Sequence, residues 1–113
     1  MKTICFDLDG VICTNTWGDY KNAKPILPAI NKVNSLYNNG FKIIIFTARY
    51  MGRNNEDANK ANIEGYEFTK NQLMEWGLKF HKLLLGKPSY DLFVDDKSIN
   101  FDDKWYFNFE FKN

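Results

Sequence analysis

Two short apolar runs, residues 2–8 and 42–46, flank a stretch in which Ile26, Ile30, Val33 and Tyr37 recur at helical spacing, and this order is the strongest constraint on the fold. Compact runs rich in β-branched residues and bounded by turn residues suit strands in the middle of a parallel sheet. The helical face begins near Pro25 and stops at Asn39-Gly40. Strand, helix, strand in that order favours a parallel pair joined by a right-handed crossover, so the predicted class is α/β.

The rest of the chain extends the pattern. A short helix is predicted over 56–64, entered by Asn54 or Asn55 and closed by Gly65. Thr69-Lys70-Asn71-Gln72 matches a capping box, and the helix it opens ends at Gly77. Residues 81–85 and 91–94 read as third and fourth strands, and 105–111 alternates aromatic and polar residues like a half-exposed edge strand. The expectation is a Rossmann-like parallel sheet of about five strands with flanking helices. The connection 86–90 is too short for a crossover helix, so that part of the fold is expected in clipped form.

With 113 residues the chain reads as one domain, 1–113, with a single core. A hydrophobic share of 44% and an aromatic share of 17% argue against disorder. Fifteen basic against 14 acidic residues leave a formal charge of +1 and no basic stripe, which disfavours nucleic acid as a partner. No apolar run is long enough to cross a bilayer, and Asp7 and Asp9 interrupt any signal-peptide pattern, so a soluble cytoplasmic protein is expected. Cys5 and Cys13 form no C-x-x-C and read as small buried residues rather than a disulfide or zinc site.

Polar residues close the apolar runs. FDLDGVIC places Asp7 and Asp9 on one face if the strand continues, and two like charges there need a cation between them or a turn, which Gly10 supplies. The glycine and third oxygen ligand of a calcium loop are out of place, whereas a plain acidic turn stays open. Thr47 ends the second run, Lys87 follows the third, and Asp95-Asp96 follow the fourth. In open parallel sheets the carboxyl ends of the strands line the ligand crevice, so these groups should converge. Four carboxylates, a hydroxyl and an ammonium suit Mg²⁺ with a phosphate.

FDLDGV, FTAR, GKP and LFVDD, running from Phe6 to Asp96, resemble in content and order the four motifs of the haloacid dehalogenase (HAD) superfamily of phosphohydrolases. The resemblance implies a minimal HAD core in which Asp7 is the nucleophile that becomes an aspartyl-phosphate. It implies Asp9 as general acid and base, with its main-chain carbonyl on the metal. Thr47 would bond the transferring phosphoryl group and Lys87 would balance the charge around it. Asp95 and Asp96 would anchor Mg²⁺ together with Asp7 and Asp9, and Gly10, Ala48 and Arg49 would line the substrate. Neither interval between Asp7, Thr47 and Lys87 has room for the cap domain typical of the family. Water exclusion would then fall to loops 14–24 and 48–55, to a second subunit or to the substrate.

The function so implied is that of a magnesium-dependent phosphomonoesterase acting on a sugar phosphate or another small-metabolite phosphate, similar to short phosphatases of surface-polysaccharide pathways. A phosphotransferase or polynucleotide-end phosphatase would share the motifs. A receiver-type phosphoacceptor would carry the acidic pair first, the reverse of this order, and a catalytically silent binding module would not need Asp7, Asp9, Thr47 and Lys87 together. A homo-oligomer would cover an open crevice. Arg49 reads equally as a fork for an anionic substrate or as a local ion pair. His81 reads as structural, and Asp102-Asp103 as a solvated turn.

Overall fold

In the computed structural model, which describes residues 1–112, the opening is β1 (Thr3–Phe6), α1 (Leu27–Asn38) and β2 (Lys42–Thr47). Then come α2 (Ala58–Glu75) and β3 (Lys82–Leu85). The strands are parallel in the order β1-β2-β3, with Cys5 opposite Ile44 and Phe46 opposite Leu84. Ile43 and Ile45 of β2, Ile30 and Val33 of α1, and Ala61 and Leu73 of α2 are buried in one hydrophobic core. Burying each of the large aliphatic side chains contributes roughly 1.5–3 kcal/mol. Among the described residues no helix is long and apolar enough to cross a membrane.

His81 is structural, as expected. Its backbone N–H donates to the Ile43 carbonyl, its Nδ1 accepts from the Ile43 N–H at 2.9 Å, and its ring stacks on Tyr37. Backbone and side chain together fix the register at the start of β3.

Three expectations are corrected. The two helices predicted over 56–77 are one continuous α2, capped by the Asp57 carboxylate on the N–H groups of Asn59 and Lys60. Gly65 does not end it, because its function is steric: a Cβ there would fall inside the Tyr50 ring. Thr69 lies within the helix, fully buried, and caps nothing.

The sheet has three strands among the described residues, not about five. The connection after β3 is too short to carry the chain back for a parallel pairing. Residues 91–94 instead leave Leu92 and Val94 at 79% and 87% exposure, and Tyr90 and Phe93 place their rings 5.3 and 5.2 Å from the Lys87 ammonium. The predicted edge strand 105–111 is an aromatic cluster. Trp105 is buried against Phe6, donates from Nε1 to the Val11 carbonyl and meets Tyr106 and Phe109 edge-on, so ring packing replaces a ladder. One edge of β1 consequently has no partner strand among the described residues.

Candidate active site

β1 stops at Phe6, and the chain then coils on itself. The N–H groups of Val11, Ile12 and Cys13 all point to the Leu8 carbonyl, and Gly10, at φ +86°, donates to the Cys13 carbonyl. An L side chain rarely adopts that φ, so Gly10 shapes the turn. It is not among the residues that line the adjacent cavity. The turn sets Asp7 and Asp9 at the carboxyl end of the sheet. There a cavity of about 620 Å³ is lined by Asp7, Asp9, Thr47, Ala48, Arg49 and Lys87, together with residues of the loops around them.

Asp7 and Lys87 face each other across the floor, Nζ to Oδ1 3.6 Å. Desolvation by burial pushes the Asp7 carboxyl above the usual carboxylate range, the Lys87 ammonium opposes the rise, and the neighbouring Asp9 charge adds to it. The second Asp7 interaction is local, with Oδ1 accepting the Leu8 N–H at 2.8 Å. Thr47 is buried at the end of β2, where its Oγ1 accepts the Arg49 N–H and its carbonyl accepts the Lys87 N–H. That second bond continues the β2–β3 ladder past the last strand residue and brings Lys87 beside Thr47.

Arg49 makes a local ion pair with Asp9 while also lining the cavity. Its side chain is fully buried, Nε and Nη2 hold the two carboxylate oxygens of Asp9 at 2.8 and 2.9 Å, and Nη1 donates to Gln72 Oε1 at 2.6 Å. Gln72 in turn donates to the Tyr20 carbonyl, and the Tyr20 ring lies 4.6 Å from the guanidinium. Cys13 closes the group, donating to Asp9 Oδ1, and its thiol is pushed up to about 12, first by burial and then by the Asp9 charge. Cys13 is buried as predicted, whereas Cys5 on β1 is exposed. The sequence reads Gln72 as the last residue of a capping box and not as part of the site. The available signal was its place on the stripe Ala61, Gly65, Thr69, Gln72 of α2, where a long polar side chain sits among small buried ones.

A divalent cation fits part of this donor set. The Asp7 carboxylate, raised by burial, gains from a cation, and the Asp9 main-chain carbonyl accepts no hydrogen bond among the described residues. Magnesium is typically held by one or two carboxylates with substrate phosphate and water completing the shell. Asp95 and Asp96 are not brought to this point. Both are exposed and outside the cavity lining, although the Asp95 charge, like that of Asp7, reaches Cys5 on β1. Among the described residues no three acidic, histidine or cysteine side chains are grouped as a metal cage.

No family model and no curated protein matches the chain. A crystal structure of a structural-genomics target from Vibrio cholerae is similar to it, with 29% identity and a TM-score of 0.81 over 88% of this chain and 83% of that one. The likeness supports the small α/β architecture.

Proposed function

We propose that the chain is a phosphomonoesterase with a minimal HAD-like core, working through an aspartyl-phosphate on a sugar phosphate or similar small-metabolite ester. The observation that carries this reading is the meeting of Asp7, Asp9, Thr47 and Lys87 in one cavity at the carboxyl ends of parallel strands. An Asp7 oxygen attacks phosphorus, the bond from phosphorus to the alcohol oxygen breaks, and Asp9 gives that oxygen a proton. Water then attacks the aspartyl-phosphate, Asp9 takes its proton, and phosphate leaves with the Asp7 carboxylate restored.

Lys87 and the Thr47 hydroxyl offset charge on the phosphoryl oxygens as it shifts between donor and acceptor. Arg49, braced by Gln72, engages both carboxylate oxygens of Asp9, and this fork must open for Asp9 to carry a proton. A magnesium ion held by the Asp7 carboxylate and the Asp9 carbonyl would supply charge neutralisation at the phosphate.

The test is phosphate release from a panel of phosphomonoesters, with magnesium and with EDTA. Magnesium-dependent release by the wild type, reduced about a thousandfold or more in Asp7→Asn, is expected, since the variant keeps the size of the residue and loses the nucleophile. No release from any ester by folded protein would sink the reading. Release confined to polynucleotide ends would move it to another substrate class.

A further inference from the structure

The cavity is larger than a phosphate needs, and one wall of it is built in a way the phosphoryl chemistry does not explain. Trp17 lines it at 87% exposure on a backbone at φ +50°, a conformation disfavoured for a bulky residue. Its loop is nonetheless held firmly. The Thr14 N–H donates to the Lys24 carbonyl and the Lys24 N–H returns to Thr14 Oγ1, both at 2.9 Å. Arg53 donates to the Gly18 carbonyl at 2.7 Å, with its guanidinium 4.8 Å from the Tyr50 ring and 5.4 Å from that of Tyr20. An indole presented to water on a clamped, strained loop is a preformed surface for a ring.

Asn15 links that surface to the reacting end. Its Oδ1 accepts the backbone N–H of Trp17 at 3.3 Å, while its Nδ2 lies 3.9 Å from where a Cβ on Gly10 would stand. That nitrogen makes no hydrogen bond among the described residues, so a donor stands between the catalytic turn and the aromatic face. A hydroxyl beside the phosphorylated carbon, with the C–H face of a ring beyond it, matches this order.

We propose that Trp17 is a specificity-determining residue that stacks on the sugar ring of the substrate's alcohol, with the Asn15 amide donating to an adjacent hydroxyl. The inference rests on the phosphomonoesterase reading for its reaction but not for its binding.

The test therefore reads both. Binding of glucose 6-phosphate, glycerol phosphate and adenosine monophosphate is measured by calorimetry on Asp7→Asn protein and on wild type in EDTA. The kinetics of phosphate release are measured in parallel with magnesium. Expected is a preference of about tenfold or more for the hexose ester over glycerol phosphate. Trp17→Ala should abolish it, raising KM for the hexose ester with kcat nearly unchanged, and Trp17→Tyr should restore most of it. Trp17 is exposed, so an unchanged melting temperature in Trp17→Ala separates lost stacking from lost fold. A preference that survives Trp17→Ala, or equal binding of cyclic and acyclic esters by wild type, overturns the proposal. So does a Trp17-dependent preference for the nucleotide, which would assign the surface to a base. Trp17-dependent hexose binding without turnover of any ester would sustain the subsite and sink the phosphatase; magnesium-dependent turnover without ring preference would do the reverse.

Discussion

Asp7 carries a cost to the fold at neutral pH, because its carboxylate loses part of its hydration on folding although the side chain stays 38% exposed. Its folded pKa lies above the ordinary value, so the unfolded chain releases the proton first as pH rises. Stability is unaffected below both values, falls through the window between them, and carries the full cost above the folded one. In EDTA at pH 7, Asp7→Asn should therefore melt above wild type, and the gap should close below about pH 3. Lys87 loses its 3.6 Å partner in the variant, which trims the gain without reversing it, since burial outranks Lys87 among the causes of the shift. Thermal melts of both proteins across pH check this, and a variant less stable than wild type at pH 7 would refute it. Asp7, Asp9, Thr47 and Lys87 were legible in the sequence because each closes or follows an apolar run. Arg49 reads from the sequence as either of two roles, because a guanidinium just past a strand can turn either way. Its direction is set by Gln72 and Cys13, partners remote in sequence.

At the level of elements, α2 shows how a local signal can be overruled. Glycine costs about 1 kcal/mol against alanine inside a helix, which is why Gly65 reads as a stop. Here it buys close approach to the Tyr50 ring, and Tyr50 also faces Tyr20 at 4.8 Å in the wall of the cavity. Gly65→Ala should thus destabilise despite its better propensity, by about 1–3 kcal/mol, because the ring must move. Denaturant melts read that loss, and a stabilised variant would show that the ring yields freely. The fourth strand is the opposite case. Its apolar residues are correctly patterned, but pairing needs length in the connection before it, and 86–90 does not supply that length. Glu56 instead ties this connection to the loop before α2, accepting from the backbone N–H and hydroxyl of Ser89 at 2.8 and 2.9 Å. Such links join residues far apart in the chain, and periodicity carries no trace of them.

For the whole molecule, the balance of charge around the cavity bears on the proposed cation. Asp9 is neutralised by Arg49 and Asp7 is opposed by Lys87, so a phosphate entering the cavity adds negative charge that Lys87, shared with Asp7, and Arg53, shared with Glu64, meet in part. A divalent ion on Asp7 would restore the balance and offset the cost of that partly desolvated carboxylate together. Because it binds the folded chain and not the unfolded one, magnesium at ten times its Kd should stabilise by about 1.4 kcal/mol, a rise in Tm of roughly 5 °C for a chain of this length. The rise should vanish in Asp7→Asn and on adding EDTA. Asp95→Asn and Asp96→Asn divide the remaining question. Both side chains stand outside the cavity, and Asp95 is the one whose charge already reaches β1. If the segment around it moves in when the ion binds, Asp95→Asn should lose more of the magnesium shift than Asp96→Asn. Equal shifts in wild type and Asp7→Asn would place any bound ion elsewhere and leave Lys87 as the principal counter-charge of the site.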